Sequence, residues 1–163
     1  MEKYRQWETD TEYRALIDDL LATPEVQHLA DFKQHHHSNR LEHSIRVSYT
    51  SYLIAKKMHL NTRATARAGL LHDLFYYDWR VTKFDLGTHA YVHPRIALHN
   101  AEHLTDLNKV EKDIIIKHMW GATLALPRYA ESYIVSLVDD YAAVAEFAHP
   151  YKQKMLHAIE EEL

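Results

Sequence analysis

Along most of the chain, apolar positions recur every three or four residues, the spacing that gathers them on one face of an α-helix. "TDTEYRALIDDLLA" (9–22) predicts a first helix. "TPEVQHLADFKQH" (23–35) predicts a second, with Thr23 as N-cap, Pro24 at the first helical position, and Glu25 and Gln27 near capping-box positions. "RLEHSIRVSYTSYLIAKKMH" (40–59) predicts a long third helix, and "NTRATARAGLLHDLF" (61–75) a fourth beginning near Asn61 and Thr62. The segment "YYDWRVTKFDLGTHAYV" (76–92) has no clean period, contains Gly87 and reads as a loop. "HPRIALHNAEHL" then opens a fifth helix with Pro94 at its first position. "NKVEKDIIIKHMW" opens a sixth with an Asn108–Glu111 capping box. After a turn around Gly121 and Pro127, "AESYIVSLVDDYAAVAEFA" and "PYKQKMLHAIEEEL" predict two more. The fold class expected is an all-α helical bundle, with short connections favouring antiparallel neighbours.

Composition narrows the possibilities. At 163 residues, without repeats, low-complexity tracts or linkers, the chain reads as one domain over 1–163 with room for a substantial core. Zero cysteines exclude disulfides, thiolate zinc sites and cysteine-held iron–sulfur clusters. A net charge of −4 argues against a surface that coats a long nucleic acid. No apolar run approaches the ~20 residues that a membrane span needs. With a polar, acidic start and no signal-peptide pattern, the expected compartment is cytoplasmic.

The 14 histidines stand out. "HHH" at 35–37 is internal rather than a terminal tag. Sorted by helical face, His43 aligns with Val47, Thr50 and Ile54; His72 with Ala64, Ala68 and Phe75; His93 with Ala97, Ala101 and Leu104; and His118 with Ile114 and Ile115. These four point inward. His99 and His103 form an i, i+4 pair but sit on the polar side of their helix, where solvent explains them. His59, His149 and His157 read as surface residues. One inward histidine is ordinarily a core residue bonded to a backbone carbonyl. Four of them, with Asp73 and one of Asp139 or Asp140 in apolar helices, would be destabilising unless a cation is shared among them. Periodicity does not choose between the two late aspartates.

In order, these residues are His43, the His72–Asp73 pair, His93, His118 and a late aspartate. With the flanks "LEHSIRVSYTSYLIAKKM", "ARAGLLHDL" and "SYIVSLVDDYAA", the series resembles the HD-domain metal-dependent phosphohydrolase superfamily over roughly 35–148. The resemblance matches the family aspartate to Asp139. It implies that His43, His72 and Asp139 hold one metal, His93 and His118 a second, and that Asp73 bridges them, with His89 the main rival for the second site. "HDLFYYDW" lacks the Gly and Lys that follow the His-Asp pair in the HD-GYP cyclic-dinucleotide phosphodiesterases, and so is more like the compact HD hydrolases of small phosphate esters, including nucleotides.

Imidazole and carboxylate ligands suit divalent Fe, Mn, Zn, Co or Ni, with iron or manganese favoured by six-coordinate N/O geometry. Two such ions suit in-line hydrolysis of a small-molecule phosphate ester or nucleotide, with His72 and Asp73 at the catalytic centre. Arg40, one turn before His43, and Lys83, in the loop after the His-Asp helix, are the candidate phosphate-binding cations. Tyr76 and Trp79 are placed either to stack on a base or to pack beneath the loop. Other readings compatible with the residues are a di-iron HD oxygenase, a non-enzymatic nucleotide-binding HD scaffold and a purely structural helical domain.

Overall fold

The computed structural model describes residues 6–35, 38–85 and 87–161. Its helices are α1 (Thr11–Leu21), α2 (Pro24–Gln27), α3 (Arg40–Lys57), α4 (Thr62–Leu71), α5 (His89–Leu104), α6 (Lys109–Lys117) and α7 (Ala130–Glu161). The only sheet among the described residues is an antiparallel ribbon of β1 (Lys33–His35) and β2 (Ser38–Asn39), so the all-α expectation holds.

α4 is the centre. Every residue from Ala64 to Leu71 is buried, the mark of a helix wrapped on all sides rather than amphipathic. α3 lies closest to it. A Cβ on Gly69 would come within 2.9 Å of the Ser48 Cα, so glycine is what lets the two backbones approach. Ser48 Oγ donates to Ala66 O at 2.6 Å and accepts from the Tyr13 hydroxyl at 2.7 Å, pinning α1 and α4 to the same point. Tyr13, Ile17, Leu70, Leu71, Leu74, Ile114, Ile115 and Val135 fill the surrounding core. Each large side chain buried there contributes roughly 1.5–3 kcal/mol relative to exposure.

α4 begins at Thr62 as expected, with Asn61 as its cap, and the capping box expected at Asn108 and Glu111 is present. Thr23 caps α2, but that helix lasts four residues and passes through a 3-10 turn (His28–Asp31) into the ribbon. The helix expected over 23–35 is thus corrected, because Gln34 turns inward to a polar site and Phe32 O pairs with Arg40 N at 2.8 Å. α5 begins at His89, not His93, which places Pro94 inside the helix. α7 also continues through Pro150, so the two C-terminal helices expected are one. His59 ends α3 in the left-handed region (φ 56°), with Leu60 N donating to Ala55 O in a Schellman-type cap.

Candidate metal centre

Four elements deliver the inward histidines to one place. His43 comes from the first turn of α3 and lies opposite Asp139 on α7. His72 is the cap residue of α4, with Asp73 following it as the chain leaves the helix. His93 sits in the second turn of α5, and His118 caps α6. His43, His72, Asp73, His93 and His118 are buried to within 4 % exposure, and the Asp139 side chain is 13 % exposed. Asp140, its neighbour, faces solvent, so burial resolves the choice that periodicity left open.

Backbone carbonyls orient three of the four rings. His72 Nδ1 donates to Gly69 O at 2.8 Å, His93 Nδ1 to His89 O at 2.9 Å, and His118 Nδ1 to Ile115 O at 2.8 Å. With Nδ1–H committed, the Nε2 of a neutral ring carries a lone pair. These Nε2 atoms converge. His72 Nε2 is buried with no hydrogen-bond partner. His93 Nε2 and His118 Nε2 are 2.7 Å apart, two acceptors facing each other, and lie 3.3 and 3.7 Å from Asp73 Oδ1. Such an arrangement is repulsive without a shared cation.

His43 is held differently. Its Nε2 lies 2.8 Å from Asp139 Oδ1, and its Nδ1 lies 3.3 Å from Glu146 Oε1. Glu146 also accepts from Ser38 Oγ at 2.7 Å and Arg46 at 2.6 Å. On the other side, Gln34 Nε2 donates to Asp73 Oδ2 at 2.8 Å while Arg40 Nε donates to Gln34 Oε1 at 2.9 Å. Glu146 and Gln34 were not singled out by sequence. Glu146 carried a signal, being two helical turns beyond Asp139 in the apolar stretch "AVAEFA".

Electrostatics follow the geometry. Burial works against charging His43, but Asp139 and Glu146 outweigh it and push its pKa up to about 10. Burial likewise opposes a raised His72, which Asp73 and Asp139 nevertheless produce. Burial and the adjacent His93 and His72 depress His118 to about 3. Asp73 and Asp139 are driven up by burial, yet the surrounding imidazoles hold both well below the ordinary carboxylate range. The two carboxylates therefore call for positive charge at the centre.

Three overlapping sets bring their ligand atoms within 4.8 Å of one another: His43–His72–Asp73, His72–His118–Asp139 and Asp73–His93–His118. The orphaned Nε2, the opposed lone pairs and the thiol-free donor set all fit divalent metal. His89 is in none of these sets. It stacks on His93 (centroids 4.3 Å apart), its Nδ1 is 3.2 Å from the Tyr77 hydroxyl, and burial followed by His93 lowers it to about 4. His99 and His103 are exposed on α5 and His59 is exposed as well; the side chains of His35, His149 and His157, and all of His36 and His37, lie outside the described residues.

The expected phosphate-binding cations do not reach this centre as free groups. Arg40 is fully buried; beyond Gln34 it donates to Phe75 O at 2.6 Å and Tyr77 O at 3.2 Å, with its guanidinium 3.6 Å from the Phe75 ring centroid. It braces the His-Asp segment from behind. Lys83 is exposed and lines a surface cavity of about 490 Å³ with Tyr91, Arg95 and His99, on the outward side of α5. Tyr76 packs beneath the loop, its hydroxyl donating to Glu25 O, whereas Trp79 stacks on His89 at 5.7 Å.

An all-helical scaffold closing on a buried imidazole–carboxylate cluster is the class that fold and site define. The HD domain family model matches residues 40–144, well over half the chain, and the chain belongs to that family. The family consists mostly of metal-dependent phosphohydrolases. No match was found among curated proteins or among solved structures.

Proposed function

We propose that this chain is a metal-dependent phosphohydrolase acting on a small phosphate ester, most naturally a nucleotide. The carrying observation is the pair of Nε2 atoms of His93 and His118, 2.7 Å apart with both Nδ1–H groups already committed to carbonyls. In this reading His43, His72, Asp73 and Asp139 hold one divalent ion, and Asp73, His93 and His118 a second, iron or manganese before zinc, cobalt or nickel. Ions held there polarise phosphoryl oxygens and acidify bound water towards neutrality.

The chain's own groups set the stage for that chemistry. Asp73, shared by both sets, is fixed in rotation by Gln34 on Oδ2, and Arg40 fixes Gln34. Arg40 thus acts on the substrate only through Asp73. Glu146 aims His43. With the Tyr77 hydroxyl donating to His89 Nδ1, the Nε2–H of this half-buried, neutral ring is left to donate to a phosphate oxygen. Trp79, stacked on His89 and part-exposed, offers an aromatic face for a base. Lys83 has no part in this reading.

The test is phosphate or nucleoside release from a nucleotide panel with Mn, Fe, Co or Ni added. Release that needs metal and disappears in Asp73→Asn is expected. No release from any substrate, together with oxygen consumption by the reduced iron-loaded protein, would overturn the hydrolase reading in favour of a di-iron oxygenase.

A further inference from the structure

We infer that the outward face of α5 carries a second ligand site, separate from the metal centre, for an aromatic phosphate of the size of a nucleoside monophosphate. Lys83 and His99, which the cluster leaves unused, meet at the cavity of about 490 Å³ between α5 and the loop segment 83–85. That volume falls within the roughly 300–1,000 Å³ of small-molecule pockets. Along α5, Tyr91, Arg95 and His99 follow at intervals of four and share one face. His93 is two residues from both Tyr91 and Arg95, about 200° around the helix, and is buried in the cluster. Cavity and metal centre therefore sit on opposite sides of α5.

Both walls of the cavity are fixed. On the loop side, Thr82 donates to Asp78 O through its backbone N–H at 3.0 Å and its hydroxyl at 2.8 Å. Phe84 packs edge-on against Tyr77, with centroids 5.2 Å apart. Gly87 closes the loop onto the helix: its φ is +137°, and a Cβ there would come within 3.3 Å of Tyr91 Cδ1. On the helix side, Arg95 donates to Tyr91 O at 2.5 Å, and its guanidinium lies 3.5 Å from the Tyr91 ring centroid. The plane of the guanidinium is thereby set, and its remaining N–H groups have no partner among the described residues.

The lining divides by chemistry. Phe84, Tyr91, Val92 and Ile96 form an apolar and aromatic wall that suits a ring. Lys83, Arg95 and His99, all exposed, place two cations and an imidazole at the rim. In a chain of net charge −4, neither Lys83 nor Arg95 is paired with a carboxylate among the described residues, so both are available to a phosphate. Asp85 is the opposing charge at the rim. It disfavours a bare anion and favours a ligand that also brings hydroxyl donors. A nucleoside monophosphate offers the ring, the phosphate and the hydroxyls together.

The consequence for the metal centre runs through the loop. Phe84 lines the cavity and packs on Tyr77, whose hydroxyl bonds His89. A ligand in the cavity would thus steady the wall that carries His89 and Trp79.

The test is calorimetric titration of AMP into the full-length, chelator-stripped protein, so its outcome does not depend on the hydrolase reading. Saturable one-to-one binding is expected. Adenosine and inorganic phosphate should each bind at least about tenfold more weakly, since each supplies only part of the contacts. Reversing both rim charges, Lys83→Glu with Arg95→Glu, should weaken AMP by about a hundredfold. Ile96→Trp, which fills the apolar wall and keeps every charge, should weaken it by about tenfold or more. Melting should be unchanged in the charge-reversal variant, and Trp79→Ala should leave AMP binding intact. No saturable binding of AMP, or binding indifferent to the charge reversal, overturns the proposal. So does inorganic phosphate binding as tightly as AMP, or AMP binding that Trp79→Ala removes.

Discussion

The two ends of the histidine–aspartate cluster solve the same problem in opposite ways. At the α3–α7 end, His43 lies between two carboxylates, Asp139 and Glu146, and its charge is matched by theirs. At the α5–α6 end, His93 and His118 have their Nδ1 atoms satisfied by neutral carbonyls, and their Nε2 atoms face each other 2.7 Å apart. One end is matched by carboxylates in the absence of metal; the other brings two ring nitrogens together where a shared cation fits. Asp73, with one oxygen towards His93 and His118 and the other on Gln34, joins them. A metal centre would thus displace protons at the first end and fill an unmet need at the second.

The largest expected effect removes the joint. Asp73→Asn should abolish metal retention and any phosphate release while leaving a folded helical protein, checked by elemental analysis beside circular dichroism. Retained stoichiometric metal would mean that the ends do not share this carboxylate. Next comes the asymmetry itself. His118→Ala should lower bound metal towards one per chain and cut activity far more than stability. Glu146→Gln should keep both ions but weaken metal affinity by about 10–100-fold, the usual cost of losing a group that orients a ligand. Competition with a fluorescent chelator measures both.

The ends should also part company with pH in metal-free protein. His118, buried and depressed to about 3 against an unfolded value near 6.5, contributes stability that is full above pH 6.5 and lost as pH falls. His43, raised to about 10, contributes stability that is full below pH 6.5 and lost as pH rises through 10. Melting of the metal-free protein should therefore weaken between pH 6.5 and about 3 in a way that His118→Gln suppresses. It should weaken again towards pH 10 in a way that Glu146→Gln suppresses. Identical pH profiles for the wild type and both variants would erase the distinction. The smallest effect belongs to the control: His99→Ala and His103→Ala, exposed on the same helix as His93, should change neither metal content nor melting.

Much of this architecture is legible in the chain because periodicity reports which helical face is apolar. His43, His72, His93 and His118 could be sorted inward on that basis, and Asn61 and Asn108 declared helix starts through their capping geometry. What periodicity does not report is contact between distant segments. The ribbon at Lys33–Asn39 exists to bring Gln34 to Asp73, a pairing across 39 positions that no local pattern announces. Arg40, one turn before His43, read as a candidate phosphate-binding cation, yet its guanidinium is consumed by carbonyls 35 and 37 positions away. Proline misled twice. Pro94 suggested a helix start and Pro150 a break, but α5 and α7 run through them. The sorted faces also could not tell Asp139 from Asp140; only the position of α7 against α3 does.

The central claim, that the cluster is a two-ion centre, is tested most directly by metal titration of the chelator-stripped protein with calorimetric and elemental readout. The account predicts two manganese or iron(II) ions per chain, falling to one in His118→Ala and to none in Asp73→Asn. Saturation also stabilises the fold, by about 4 kcal/mol at a thousandfold excess over Kd. Saturation of the wild type at one ion, unchanged by His118→Ala, would contradict it.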